Sequence, residues 1–204
     1  MTPGTAPAGV RPGDEQAAAR YVREMFGRVA PRYDLLNHLL SFQIDRYWRR
    51  VTAEKVREVA ARPHARLIDL CCGTGDLMAA LARVHRGPVF GSDFCRPMLQ
   101  AAERKLGARA RLIEADALAL PLPDSSFDLV TVAFGLRNLA NYRAGLAEMY
   151  RLLRDGGQLA VLEFSQPRGT LLGALYGLYF RYLLPIVGGA ISGAGQAYQY
   201  LQES

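Results

Sequence analysis

Lysine is almost absent from this chain of 204 residues. Lys55 and Lys105 are the only two, so the formal net charge of +6 comes almost entirely from arginine. Arginine carries a planar guanidinium that suits anion recognition. A basic protein can therefore bind nucleic acid, anionic lipid or an acidic substrate. The arginines are scattered and form no run of five or more, which argues against a nucleic-acid partner.

Cysteine is scarce as well, and its spacing excludes two common uses. The three cysteines, Cys71, Cys72 and Cys95, contain no CxxC pair, so we expect neither a disulfide framework nor a metal site. A reducing cytoplasm is the expected compartment. Residues 1–15 begin with a stretch rich in Pro, Gly, Ala and Thr that lacks the apolar segment of a signal peptide, and we predict a disordered tail there.

Hydrophobic residues make up 50% of the chain, enough for one folded domain over residues 16–204. Helical spacing predicts an N-terminal group of helices within 16–62, at 16–30, 35–40 and 44–61. Short apolar strands then alternate with helices across a core at 66–165. The strands are predicted at 66–71, 88–92, 110–114, 127–133 and 158–164. This alternation predicts an α/β fold with a doubly wound, mostly parallel sheet.

The last segment, 168–204, is strongly apolar. Within it, residues 171–191 carry a single charge, Arg181. About 20 apolar residues can span a bilayer, but the central arginine, Pro185 and four glycines argue against a span. Two interpretations stay open. The segment is either a set of helices packed on the core or on a partner, or an apolar helical cover over a lipophilic substrate that touches the membrane.

A glycine loop follows the first predicted strand. Gly73 and Gly75 permit a tight turn just before a helix, and Asp69 precedes them. Asp93 ends the second predicted strand, eighteen residues after Gly75. An acidic residue at that point accepts hydrogen bonds from ribose hydroxyls, so the loop predicts a nucleotide-like ligand.

The loop favours S-adenosylmethionine over a dinucleotide. The third glycine of the dinucleotide fingerprint is replaced by Met78, and Asp76 at the helix start would repel a pyrophosphate. S-adenosylmethionine has no phosphate, and its ammonium group can form an ion pair with the carboxylate of Asp69 or Asp76. Asp116, just after the third predicted strand, can accept a hydrogen bond from an adenine amino group or be a solvated loop end.

Taken together, several segments resemble the menaquinone/ubiquinone biosynthesis C-methyltransferase family of class I, Rossmann-like methyltransferases. The match covers about residues 20–204 and is carried by residues 26–37, 41–42, 47–49, 69–76, 134–138, 162–167 and 198–204. The resemblance implies methylation of a ring carbon in a polyprenylated hydroquinone. The Cys-Cys pair and Ser165-Gln166-Pro167 resemble menaquinone-pathway members, which favours demethylmenaquinol. A ubiquinone-pathway benzoquinol, another small acceptor, an RNA substrate and a truncated, non-catalytic cofactor-binding scaffold remain as alternatives.

The resemblance also implies roles for individual residues. Thr74, Asp93, Asp116 and Ala117 would contact the cofactor, beside Asp69, Gly73 and Gly75 of the loop. Arg137 follows the fourth predicted strand, at the edge where ligands bind, and would stabilise a developing phenolate. The candidate catalytic set is Arg137, Tyr33, Asp34 and Asn138.

The family usually continues for some tens of residues beyond the segment that ends here at Ser204. We therefore expect the last strands of the sheet to be missing and an edge strand to be left uncovered. The expected partner is a lipophilic quinol, with peripheral contact to the inner face of the cell membrane and no nucleic acid. The sequence leaves the oligomeric state open, with a homodimer as one alternative.

Overall fold

The computed structural model describes residues 14–163, apart from the side chains of Leu36 and Leu40. The helices are α1 (Glu15–Val29), α2 (Tyr33–Leu40), α3 (Ile44–Lys55), α4 (Arg57–Ala60), α5 (Asp76–Leu81), α6 (Arg96–Leu106) and α7 (Tyr142–Leu152). The strands are β1 (Leu67–Leu70), β2 (Val89–Asp93), β3 (Ala110–Glu114), β4 (Phe127–Ala133) and β5 (Leu153–Leu162).

The five strands form one parallel sheet in the order β3-β2-β1-β4-β5. The predicted doubly wound α/β fold is therefore confirmed. The chain winds from β1 outward to β3 and then crosses back to β4, so the winding direction changes between β1 and β4. The loops that follow these two strands meet at the carboxyl edge of the sheet, where open α/β sheets bind their ligands.

Two apolar layers cover the central strands. Leu67 and Leu129 face a core that includes Met78 and Leu81 of α5. Neighbouring residues such as Ile68 face the other layer, which includes residues of α7. Side chains alternate along a strand, so a strand covered on both faces is apolar at nearly every position. The buried β1 and β4 therefore hold the loops that follow them in fixed positions.

The N-terminal helices differ from the prediction at their ends. Asp14 accepts a hydrogen bond from the Ala17 amide at 2.9 Å, and α1 begins at Glu15, inside the stretch predicted as a tail. The helix predicted over 44–61 is two helices, because Val56 leaves helical geometry between α3 and α4. This break lets both Val56 and Ala60 reach the core.

The predicted turn at residues 155–157 lies inside β5 rather than before it. Phe127 pairs with Leu153 and Leu129 pairs with Gln158. Over this stretch β4 advances by two residues and β5 by five, so β5 contains a bulge. Gly156 at a φ of +72° accommodates the extra residues. β5 thus begins five residues earlier than the predicted strand.

Among the described residues no helix is long and apolar enough to cross a membrane. The rest of the predicted tail and the apolar segment 168–204 lie outside the described range, so the expected loss of the last strands stays a prediction.

Candidate cofactor and acceptor site

A cavity of about 220 Å³ opens at the carboxyl edge of the sheet, beside the crossover between β1 and β4. Six of the predicted site residues line it: Tyr33, Gly73, Asp93, Asp116, Ala117 and Asn138. They come from five separate parts of the chain, so only the fold brings them together.

The glycine loop and the end of β2 form one wall of this cavity. The Asp93 side chain accepts hydrogen bonds from the backbone N–H groups of Gly73 and Cys95, each at 2.9 Å. Burial raises the pKa of Asp93, whereas these backbone hydrogen bonds lower it. Gly73 has a φ of +54°, and a Cβ built on it would meet no protein atom within 4 Å. The loop therefore leaves open space beside a buried carboxylate that can accept further hydrogen bonds.

Asp69 lies behind the loop rather than on the cavity surface. The Thr131 hydroxyl donates a hydrogen bond to its carboxylate at 2.7 Å, and Asp69 is almost fully buried. Burial raises the pKa of Asp69 to about 7, against the opposing effects of the Thr131 hydrogen bond and the charge of Arg49. A cation bound in front of the loop would favour the charged carboxylate.

The far end of the cavity is closed by α1. Glu15, Gln16, Ala19 and Val22 of this helix line the same cavity as Asp116 and Ala117. Arg23 of α1 donates from Nε to the Phe94 carbonyl oxygen at 2.6 Å and pairs with Glu114 at 3.2 Å. These contacts tie α1 to the ends of β2 and β3.

Two buried polar atoms at the cavity have no hydrogen-bond partner among the described residues: Asn138 Oδ1 and Ser92 Oγ. The Asn138 amide is oriented by its Nδ2, which donates to the Phe134 carbonyl oxygen at 3.2 Å. Buried polar groups are normally satisfied, so each of these atoms is a candidate for a bond to a ligand.

Tyr33 brings a phenol into the same cavity. Its ring meets Phe26 edge-on, with 5.9 Å between ring centroids. Burial raises the pKa of Tyr33, and the charges of Arg49 and Arg137 act in the opposite direction. Both guanidinium groups therefore lie within electrostatic reach of this phenol.

Arg137 sits in the 3-10 turn Leu136–Asn138 that follows β4. It does not line the cavity directly. Its Nε lies 3.7 Å from the Glu163 carboxylate, and its backbone N–H donates to Glu163 at 3.3 Å. The end of β5 thus holds the turn that carries Arg137 and Asn138.

Thr74 and Asp34 bond to each other instead of lining the cavity. The Thr74 hydroxyl donates to the Asp34 carboxylate, and Lys105 pairs with Asp34 at 2.7 Å. Lys105 also pairs with Asp76, at 2.5 Å. This group of four side chains, which we call the loop–helix network, ties α2 and α6 to the glycine loop and the start of α5.

A second polar group lies beside that network. His38 is 2.9 Å from Asp45, and Arg49 bonds to the same carboxylate. Ligand atoms of His38, Asp45 and Asp76 lie within 4.8 Å of one another, a spacing that can hold a metal ion. However, Arg49 bonds to Asp45 and lies 3.9 Å from Asp76, and Lys105 pairs with Asp76, so two fixed positive charges already offset both carboxylates.

Two residues other than glycine adopt left-handed backbone conformations where β1 and β4 end. They are Cys71, with a φ of +51°, and Phe134, with a φ of +58°. The sequence prediction placed Cys71 inside the strand, but β1 ends at Leu70. A Cβ on Gly135 would lie 2.5 Å from the Cys71 Cβ, so the loop after β4 packs directly on the loop after β1.

Sequence reasoning missed several residues that shape the site. Arg49 and Lys105 come from α3 and α6, and nothing in their local sequence points to the loop. Phe134 carries a ring that meets the Arg49 guanidinium at 5.1 Å. Of the missed residues, only Ser92 could have been predicted from its position, because it directly precedes Asp93 at the end of β2.

The fold is shared with known methyltransferase structures. A SAM-dependent methyltransferase from Thermotoga maritima matches with a TM-score of 0.53 and 22% identity, over 75% of this chain and 66% of that one. A SAM-dependent methyltransferase from Aquifex aeolicus matches with a TM-score of 0.50 and 22% identity, over 63% and 77%. The sheet, the loop after β1 and the acid at the end of β2 define a protein of the class I methyltransferase fold.

The sequence comparisons identify the family. Residues 14–204 match the ubiE/COQ5 methyltransferase family, and the chain belongs to it. A demethylmenaquinone methyltransferase from Deinococcus radiodurans is 48% identical over 94% of this chain and 80% of its own length. The demethylmenaquinone methyltransferase from Thermus thermophilus is 52% identical over 88% and 82%. The expected S-adenosylmethionine-dependent methyltransferase is thereby confirmed.

Proposed function

We propose that this protein methylates a ring carbon of a polyprenylated demethylmenaquinol, giving menaquinol, with S-adenosylmethionine as methyl donor. The relatives that carry the name demethylmenaquinone methyltransferase support this acceptor over a benzoquinol. The structural observation that carries the proposal is the unpartnered Asn138 Oδ1, buried in the wall of the cavity that the glycine loop also lines. It is suited to accept a hydrogen bond from a ring hydroxyl.

The cofactor would occupy the side of the cavity formed by the ends of β1 to β3. Asp93 offers a buried carboxylate to ribose hydroxyls, and Asp116 and Ala117, which line the same cavity, would hold the adenine. Gly73 leaves the space that a close ligand needs, and Asp69 supplies negative charge behind the cationic end. Thr74 and Gly75 would contribute to cofactor binding by fixing the shape of the glycine loop. When bound, the cofactor supplies an electrophilic methyl group on a sulfonium.

The acceptor side is lined by Tyr33 and Asn138, and Arg137 lies behind it in the same turn as Asn138. A ring carbon becomes nucleophilic when a neighbouring hydroxyl loses its proton. Asn138 would orient that hydroxyl, and the positive charge of Arg137 would stabilise the resulting oxyanion. Arginine stays protonated, so the hydroxyl proton, and the proton that leaves the ring carbon once it is methylated, would pass to the bulk solvent instead. Tyr33 completes the wall and excludes water from the reacting atoms.

Asp34 takes a positioning role in this proposal. Its carboxylate is bonded to Thr74 and Lys105 and does not line the cavity. It therefore acts on the reaction through the glycine loop.

Product analysis tests the proposed reaction. The purified protein is given labelled S-adenosylmethionine with either demethylmenaquinol or the demethylated benzoquinol, and products are identified by mass spectrometry. We expect a methylated naphthoquinol as the main product. Preferential methylation of the benzoquinol would favour the ubiquinone-type reaction, and no product in either arm would indicate a non-catalytic cofactor-binding protein.

Arg137→Ala tests the oxyanion role. We expect kcat to fall on the order of a hundredfold, because groups that stabilise a developing oxyanion typically contribute that much. Affinity for S-adenosylmethionine, measured by calorimetry, should hold. The matched control is Arg154→Ala, since Arg154 also forms an ion pair, with Asp128 at 2.9 Å, but lies at the start of β5. An unchanged kcat in Arg137→Ala would refute the role.

The proposed substrate is dissolved in lipid. We therefore propose that the protein works in the cytoplasm at the inner face of the cell membrane, as a peripheral protein.

A further inference from the structure

Five large apolar side chains are exposed where α2 meets α3. They are Leu35, Leu39, Phe42, Ile44 and Tyr47, and we call this surface the α2–α3 corner. Phe42 is 71% exposed, Leu35 62% and Tyr47 57%. Single exposed apolar residues are common on soluble proteins, but a cluster within thirteen consecutive residues marks an interaction surface.

The turn in this corner holds its most exposed ring in a strained conformation. Phe42 and Gln43 have φ values of +51° and +64°, in the left-handed region that bulky residues avoid. Backbone bonds fix the turn, with Gln43 N–H donating to the His38 carbonyl at 2.9 Å and Ser41 N–H to the Asn37 carbonyl at 2.9 Å. Strain of this kind persists where the surroundings enforce it, and it is typical of functional surfaces.

The opposite side of the corner is anchored to the protein. Asp45 and Arg49 of α3 are buried and bonded to each other, and His38 of α2 bonds to the same carboxylate. This buried polar contact fixes the rotation of both helices. The helix faces that carry Leu35, Leu39, Ile44 and Tyr47 are therefore held on the outside of the protein.

The charges around the corner are positive. Arg28, Arg32, Arg46 and Arg50 are all exposed. Between residues 28 and 50 the only carboxylates are those of Asp34 and Asp45. Asp34 pairs inward with Lys105, and Asp45 is buried. The exposed charges of this segment are thus arginines that accompany an apolar centre, which suits an interface rich in anionic lipid.

We propose that the α2–α3 corner is the surface that docks on the anionic face of a lipid bilayer, with Phe42 inserted among the acyl chains and the arginines at the headgroups. The inference rests on the proposed function, because a lipid-soluble acceptor must be collected from a bilayer. Tyr33, at the start of the same α2, lines the acceptor side of the cavity, so docking here brings the membrane within about one short helix of the site.

Vesicle binding by the full chain tests the proposal. The protein is floated with vesicles of phosphatidylcholine that contain phosphatidylglycerol, and with vesicles of phosphatidylcholine alone. Phe42→Ser should weaken binding to the anionic vesicles by about tenfold or more, as expected for losing an inserted apolar side chain. Arg46→Gln and Arg50→Gln should each weaken it by about fivefold, and only when anionic lipid is present.

Matched variants on other surfaces serve as controls. Tyr150 is 80% exposed on α7, and Arg104 is exposed on α6. Tyr150→Ser and Arg104→Gln should leave vesicle binding unchanged. The proposal is overturned if these controls weaken binding as much as the corner variants, or if Phe42→Ser binds vesicles as well as the original protein does.

Other occupants of the corner give different results. If residues 164–204 cover it, Phe42→Ser lowers the melting temperature and the original protein fails to bind vesicles. If a second copy covers it, the variant changes the molecular mass in light scattering without changing vesicle binding. Either outcome overturns membrane docking.

A soluble acceptor separates this inference from the proposed function. Demethylmenaquinol with a short side chain does not need a bilayer, so Phe42→Ser should methylate it at the original rate while methylation of the long-chain acceptor in vesicles falls. If the original protein binds vesicles but methylates neither acceptor, the proposed function fails and the docking surface stands.

Discussion

At the scale of single residues, the close approach of Cys71 and Gly135 joins the two halves of the site. Cys71 holds a left-handed conformation after β1, and its side chain fills the space that a Cβ on Gly135 would need. Gly135 begins the turn that carries Arg137 and Asn138. The position of the acceptor-side residues therefore depends on the size of a side chain in the cofactor loop.

This contact predicts the result of a two-residue exchange. Gly135→Ala should destabilise the protein by about 1–3 kcal/mol and lower kcat, because the new methyl group would overlap Cys71 and displace the turn. Adding Cys71→Gly removes the obstacle and suits the φ of +51°, so the double variant should regain most of both losses. Denaturant unfolding and turnover measure the two effects.

The comparison is informative because the φ of Gly135 lies outside the positive region, so alanine meets no backbone penalty there. Equal losses in the single Gly135→Ala variant and the double variant would show that Cys71 is not the obstacle.

The sequence identified residues with a local reason to bind a ligand. Asp93 follows a strand and Gly73 permits a turn, and both line the cavity. It could not show that Thr74 bonds to Asp34, because the two residues are forty positions apart and meet only through the packing of α2 on the glycine loop. The left-handed Cys71 was also unpredictable, since that conformation normally selects glycine.

At the scale of helices and strands, the loop–helix network decides how α2 sits on the cofactor loop. Asp34 lies in the first turn of α2, Lys105 in the last turn of α6, and Asp76 in the first turn of α5. Each charge has the sign that its helix end favours. Three helix ends thus meet around Thr74.

Asp34→Asn should therefore act as a loss of positioning. We expect about 1 kcal/mol of destabilisation, because a partly buried ion pair and a hydrogen bond are weakened. We also expect weaker binding of S-adenosylmethionine, since the bonded Thr74 belongs to its loop. Thermal unfolding and calorimetry measure both effects.

Glu54→Gln is the matched control, because Glu54 pairs with Arg57 at 2.7 Å on the exposed side of α3 and α4. It should leave the melting temperature and the cofactor affinity almost unchanged. A catalytic role for Asp34 would instead appear as a fall in kcat with stability and cofactor affinity intact.

Element types were predictable along the whole described range, whereas some ends were not. The periodicity of apolar residues separates helices from strands, and this signal extends over many residues. The break at Val56 and the early start of β5 depend on which side chains reach the core and on pairing with β4, and neither is encoded locally.

At the scale of the whole molecule, the sheet order explains why the site is divided. Because the winding changes between β1 and β4, the cofactor-side loops come from β1, β2 and β3, and the acceptor-side turn comes from β4. Alternation of strands and helices was enough to predict the doubly wound parallel sheet.

The whole protein should be most stable at mildly acidic pH. The folded-state pKa of Asp69 is about 7, above its ordinary value of 3.8, so this group takes up a proton on folding. Its contribution to the free energy of unfolding is complete below pH 4 and decreases, by on the order of a few kcal/mol, as pH rises to about 7. Asp45 has a lowered pKa despite its burial, owing to Ser41, Arg49 and His38, so its contribution is lost in stronger acid.

Asp69→Asn should flatten the decrease between about pH 4 and pH 7 in denaturant titrations. The exposed Asp155 provides the comparison, and Asp155→Asn should keep the original profile. If the free energy of unfolding of Asp69→Asn still falls as steeply with pH as that of the original protein, another group, such as Asp93, is responsible for the decrease.

The left-handed turn at Phe42 has a consequence for protein engineering. Glycine at this position would remove a steric penalty of about 1 kcal/mol, so any search for heat resistance would favour Phe42→Gly. The same exchange would delete the ring that the α2–α3 corner inserts among lipids. A screen for thermostability in detergent-free buffer would thus enrich variants that melt at a higher temperature than the original protein. The same variants would no longer bind the membrane in which the substrate is dissolved.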